Sequence, residues 1–222
     1  MAIIQFLSNP SNAAEVIALV IALLTLTGKR AGYWSLFILY LAITIAVEIT
    51  GFYYRTVLVK PNYPFYNFFM IAQVLFFAFL FYKYHESRTI RLLVVVVLAI
   101  FLVFFISEGA INHFKAYNKY SRQFLSLFVV LFSCTFYFSL LRSDSVRNPV
   151  SYPPFWIVTG LFFFYFGSVA MFALYEKVSK IKLSGSLSFY TLVMGCLSCI
   201  LYGSWIIGFI WRRKQVPSSR RS

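Results

Sequence analysis

Two runs of this sequence carry side chains that could act on a ligand from within hydrocarbon. Glu48 lies in the apolar run 33–54, and Asn67 and Gln73 lie in the apolar run 64–82. An ionisable group at membrane depth is costly to keep, which makes Glu48 a candidate for function rather than packing. Such a carboxylate can carry a proton, coordinate a small cation, or anchor an ammonium group with help from aromatic faces. Tyr40, Thr44 and Glu48 recur at i, i+4 and i+8, so on a helix they form one polar stripe. Tyr66 and Gln73, seven residues apart, share a face of the next helix. Glu15, one helix earlier, and Arg122, at the start of the fifth, complete the candidate ligand-binding set. With about 1.5 Å of rise per residue, Glu15, Glu48 and Asn67 come to similar depths near one membrane face, and Gln73 lies deeper. Paired with Arg122, however, Glu48 would be a structural clamp.

Helices must hold these side chains. The chain has 222 residues, of which 61% are hydrophobic, 21% aromatic and only 12% charged, far from the balance of a soluble domain. The charges are grouped between apolar windows long enough to cross a bilayer, which takes roughly 17–25 residues. Seven helices are expected, at about 10–27, 33–54, 64–82, 90–107, 122–141, 154–175 and 187–211. The fold class is all-α: a polytopic integral membrane bundle in one domain, 1–214, with a short polar tail, 215–222. Asn9-Pro10 and Pro153-Pro154 read as helix starts, where a proline costs no hydrogen bond. The fourth helix shows no polar face and is expected to meet lipid widely. The fifth carries Gln123, Ser126, Ser133 and Tyr137 along an inward stripe. In the seventh, Gly195, Cys199 and Gly203 have the small-residue spacing that lets helices approach closely.

The net charge of +14 would suggest nucleic acid in a soluble protein. Here the Lys and Arg residues sit in loops between spans, and lipid headgroups are the expected partner, not nucleic acid. Counting Lys and Arg gives 8 on the side of the N-terminus and 12 on the other. The positive-inside rule therefore places the N-terminus outside and the tail in the cytoplasm, in a plasma or bacterial inner membrane. Glu15, Glu48, Glu108 and Glu176 then share the outer face, either neutralising Arg55, Arg122 and Lys177 or lining an outward-opening polar pocket.

Several chemistries find no support. The two histidines, His85 and His113, lie in connections, and no metal-ligand spacing or cofactor motif occurs. The seventh span has no lysine to form a Schiff base. Cys134, Cys196 and Cys199 lie inside apolar spans, where no disulfide framework is indicated, and Cys196-x-x-Cys199 reads as part of a small-residue face. The expectation is an integral membrane protein, a binder sooner than an enzyme, that binds or transports a small or lipid-like ligand through an outward-facing polar pocket around Glu48. One alternative is a scaffold or sensor subunit that forms homo- or hetero-oligomers through helix 7. Another is an acid–base enzyme acting on lipid with the same carboxylates.

Overall fold

Asn9 opens the first helix by accepting a hydrogen bond from the Ser11 amide at 3.1 Å, with Pro10 in the first turn. The computed structural model describes residues 9–28, 32–142, 148–178, 181–184 and 187–215. Seven helices follow in order: α1 (Pro10–Thr25), α2 (Leu36–Thr56, entered through a 3-10 turn at Gly32–Ser35), α3 (Tyr63–Tyr84), α4 (Arg88–Ile111), α5 (Lys119–Arg142), α6 (Pro153–Ala173) and α7 (Phe189–Gln215). A single helical turn, Tyr175–Val178, and a minimal antiparallel hairpin, Lys182–Ser184 with Leu187–Ser188, connect α6 to α7. Six of the seven helices are long and apolar enough to cross a membrane, and α1, with 16 residues, is the shorter one. The basic turn at Lys29 and Arg30, Asp144, Arg147, Lys180 and the tail beyond Gln215 lie outside the described residues, as does the side chain of Glu176.

The helices form a closed ring in the order α1, α2, α3, α5, α6, α7, with α7 returning to α1. The fourth helix lies outside the ring, against α3 and α5. Its sequence explains this: α4 is the most hydrophobic span and has the smallest buried share. It presents a broad, exposed apolar face, compatible with a bilayer around it.

In hydrocarbon, helices associate by close packing rather than by expulsion of water. Glycines on α6 and α7 make this possible here. A methyl group at Gly160 would stand 2.8 Å from the Leu201 carbonyl oxygen, and one at Gly208 would stand 3.2 Å from the Pro153 carbonyl. By contrast, a methyl at Gly195 or Gly203 would meet nothing within 4 Å. The small-residue face read on α7 is therefore open, and the close approach uses Gly208 together with Gly160 and Gly167, the α6 glycines whose seven-residue spacing also suggests close helix contact. Cys134, Cys196 and Cys199 are free and exposed.

Several helix ends differ from the sequence reading for a visible reason. The carboxylate of Glu108, in the last turn of α4, accepts hydrogen bonds from the amides of Tyr120 (3.0 Å) and Ser121 (2.7 Å) and from the Ser121 hydroxyl (2.6 Å). It thus caps α5 from a neighbouring helix, satisfying amides that have no partner within their own helix and complementing the helix dipole. With that cap α5 begins at Lys119 rather than near Arg122, and α4 runs on to Ile111. Across the ring, Arg213 donates to the Leu24 carbonyl oxygen at 3.1 Å and closes the far end of α1.

The half of the bundle nearer the start of α2 and the end of α3 is filled by aromatic rings. Phe37, Phe77, Phe81, Trp205 and Phe209 are almost fully buried there. The rings of Tyr40 and Phe76 stack at 4.3 Å, and Phe37 meets Trp205 edge-on at 5.2 Å. Trp205 donates its indole N–H to the Ile157 carbonyl oxygen at 3.2 Å, tying α7 to α6.

Candidate functional site

The other half of the ring is hollow. A cavity of about 300 Å³ lies between α1, α2, α3, α5, α6 and α7, near the face where α1, α3, α5 and α7 begin. That volume is at the lower edge of ligand-pocket sizes. Its wall is unusually polar for the interior of an apolar bundle, with two carboxylates, a guanidinium, phenols, hydroxyls and amides.

The α2 stripe of Tyr40, Thr44 and Glu48 lines the cavity, as helical spacing requires of three residues on one face. Thr44 spends its hydroxyl on the Tyr40 carbonyl oxygen, at 2.8 Å. Glu48 Oε2 accepts a hydrogen bond from the Tyr66 hydroxyl at 3.0 Å, joining α2 to α3. The phenol reaches it because position 51 is glycine: a methyl there would stand 2.7 Å from Tyr66 Oη.

Glu15 projects from α1 into the same cavity with a residue exposure of 3%. Its Oε1 is buried without a hydrogen-bond partner. A buried carboxylate oxygen left bare is expensive, and most such groups in folded proteins are satisfied.

Arg122 approaches from α5. Its Nη1 donates to Gln73 Oε1 at 2.7 Å, and its guanidinium lies 5.4 Å from the centre of the Tyr165 ring. The Gln73 amide also faces the Tyr40 hydroxyl, at 3.5 Å. No ion pair joins Arg122 to Glu15 or Glu48, so the salt-bridge clamp considered from the sequence is not formed. The guanidinium is held by an amide and a ring instead.

Six of the seven residues expected from the sequence therefore line one cavity: Glu15, Tyr40, Glu48, Tyr66, Gln73 and Arg122. Asn67 is not on its wall. Its Nδ2 donates to the Ala116 carbonyl oxygen (2.9 Å) and its Oδ1 accepts from the Asn118 amide (3.1 Å). Asn67 thus clamps the loop before α5 to α3. The Asn118 carbonyl in turn accepts from the Arg122 amide at 3.1 Å, so this clamp leads directly to the turn that carries Arg122.

Sequence reasoning missed the α6 and α7 wall. Tyr165, Ser168 and Phe172 on α6, and Tyr190, Met194, Ser198 and Tyr202 on α7, face the same space. A helical period was there to find, since Tyr190, Met194, Ser198 and Tyr202 are each four residues apart. The glycine and cysteine spacing on the adjacent face of α7, about 100° round the helix, drew the reading instead. Tyr117 and the exposed Lys119 stand at the mouth.

Among the described residues no group of His, Cys, Asp and Glu side chains could hold a metal ion. No family model, curated protein or solved structure matches this chain.

Proposed function

We propose that this chain is a membrane-embedded binding protein for a small polar ligand, which enters the cavity from the outer face. The observation that carries this reading is a polar cavity near one end of the bundle, lined there by the exposed Lys119, with aromatic rings filling the other end as a plug. Polar groups of opposite charge line it, and the Phe37, Phe76, Phe77 and Trp205 rings stand between it and the far face. A continuous pore would lack that plug, and a structural polar cluster would have paired its charges. In this reading α1 to α7 cross the bilayer, the positive-inside count places the mouth outside, and the lipid bilayer is the constant partner. Glu48 and Glu15 are the residues on which recognition depends, with Arg122, Gln73, Tyr40 and Tyr66 around them. Asn67 acts at one remove, by fixing the loop that leads to Arg122.

The test is chemical access. In a protein whose three cysteines are replaced by serine, Ser168→Cys is exposed to a small water-soluble methanethiosulfonate reagent, added outside intact cells or inside inverted vesicles. Rapid reaction from the outer side only is the expected result. Reaction from the inner side alone overturns the orientation, and protection from both sides overturns the pocket.

A second reading rests on the half-buried face of α7, where Gly195 and Gly203 have open space above them. A scaffold or sensor subunit would dock a partner helix there, and the two roles are compatible in one receptor.

A further inference from the structure

The cavity holds charges of both signs and keeps them apart. Glu15 and Glu48 stand on α1 and α2, and Arg122 stands on α5. Opposite charges that share a small buried space ordinarily pair, because each is costly to bury alone. Here Arg122 is turned to Gln73 at 2.7 Å and lies over the Tyr165 ring at 5.4 Å. Glu48 is engaged by Tyr66 through one oxygen, at 3.0 Å. Glu15 Oε1 has no partner at all, although the residue is only 3% exposed. One acceptor is thus left bare on one side, while on the other a guanidinium with five N–H donors bonds Gln73 and has the Tyr165 phenol beside it, with donors to spare.

Resting on the binding reading above, we infer that the ligand is amphoteric: a primary ammonium joined by a short chain to a carboxylate or a phosphate. The ammonium donates to Glu15 Oε1 and to Glu48, with phenol faces such as Tyr66 and Tyr202 beside it. The anionic end takes the remaining donors of Arg122, whose planar fork suits either group, and Lys119 at the mouth adds a second positive charge. Such a ligand bridges what the protein holds apart. A purely cationic ligand leaves Arg122 unanswered, and a purely anionic one leaves Glu15 bare. The same chemistry is found in a free amino acid with its amino group at the chain end and in the headgroup of an ethanolamine lipid.

Thermal unfolding of the full chain in nanodiscs separates these outcomes. The soluble probes are 5-aminopentanoate and phosphoethanolamine, with pentylamine and pentanoate as singly charged controls. The discs contain phosphatidylglycerol, with or without phosphatidylethanolamine. At least one amphoteric probe should bind about tenfold or more tightly than either control. Stabilisation by the soluble compounds in phosphatidylglycerol discs assigns a free ligand, whereas stabilisation that appears only with phosphatidylethanolamine assigns the headgroup. Glu15→Gln should weaken the amphoteric probe at least tenfold and leave pentanoate unchanged, and Arg122→Gln should do so while leaving pentylamine unchanged.

Where a variant fails to fold, the Ser168→Cys protein gives the same information without a ligand. Glu48→Gln should raise its rate with a sulfonate reagent relative to an ammonium reagent, and Lys119→Gln should lower that ratio. Pentylamine binding as tightly as 5-aminopentanoate overturns the inference, as does the absence of any response from either disc. If Ser168→Cys is still labelled from outside in that case, the pocket stands and only the ligand class is lost. If it is not labelled, both readings fall together.

Discussion

Gly51 and Tyr66 are fitted to each other: the missing side chain at position 51 is the space in which the Tyr66 phenol lies on its way to Glu48. A glycine three residues beyond a carboxylate would ordinarily be read as a weak point in a helix. Here it sets where that carboxylate's partner stands.

Tyr66→Phe should remove the hydrogen bond and nothing else, lowering stability by about 1.5 to 3 kcal/mol, the usual range for a bond to a charged acceptor. Gly51→Ala should displace the ring and lose the same bond. The double variant should cost less than the sum of the two, because both act on one contact. Thermal melts of the three proteins in one detergent check this, and strict additivity would show that the Gly51 fit and the Glu48 bond are independent.

The start of α5 should depend on Glu108. Its carboxylate satisfies two amides and one hydroxyl, none of which has another route to a partner within the first turn. Glu108→Ala should destabilise by about 2 to 4 kcal/mol, and Glu108→Gln, which keeps one acceptor, by less. Hydrogen exchange at the Tyr120 and Ser121 amides should quicken in both variants. Unchanged exchange would mean that the cap does not act in the membrane.

His85, outside the spans at the end of α3, gives a pH dependence of definite sign. Its Nδ1 faces the Phe81 carbonyl oxygen at 2.9 Å and its Nε2 faces the Thr135 hydroxyl at 3.0 Å, so it ties α3 to α5. Burial is the largest influence and pushes its pKa below the ordinary 6.5, with Arg91 acting in the same direction. The folded form prefers the neutral ring. Its contribution is therefore fully present above about pH 6.5 and is lost as the pH falls through the depressed folded value. Melting temperature measured from pH 7.5 down to 4.5 should fall, and His85→Gln should flatten that slope.

Two glycine substitutions should separate packing inside the chain from packing between chains. Gly160→Val places atoms against the Leu201 backbone and should cost several kcal/mol. At Gly203 a Cβ meets nothing within 4 Å beyond its own helix turn, and Gly203→Val should cost the monomer far less, within about 0.5 kcal/mol. If α7 docks a partner helix, Gly203→Val should also shift the protein to the monomer on size-exclusion chromatography. An unchanged oligomeric state with Gly203→Val counts against the scaffold reading.

What could be read from the sequence follows from what a period can carry. Tyr40, Thr44 and Glu48 repeat every four residues, so their common face was visible before any coordinates, and the charge-free windows marked the helices in the same way. Partners far apart along the chain are another matter. Asn67 meets the loop at Ala116 and Asn118, and nothing local distinguishes an amide that clamps a backbone from one that meets a ligand. The Glu108 cap was hidden for the same reason: a cap given by a neighbouring helix leaves no signature beside the helix it starts. On α7 two periodic patterns compete on adjacent faces, and the louder one, Gly195 and Gly203, turned out to be half-buried with open space above it rather than a close packing contact.

At about 1.5 Å per residue, the 16 residues of α1 span roughly 24 Å, against a hydrocarbon core of about 30 Å. If α1 crosses the bilayer as proposed above, a membrane surrounding the ring should thin or dimple beside this one helix, at a cost of fractions of a kcal/mol for each ångström of mismatch. The headgroup layer would then be drawn toward the cavity into which Glu15 projects. Bilayer thickness becomes a variable that acts on the pocket, so the protein should sense chain length in its lipids as well as whatever it binds.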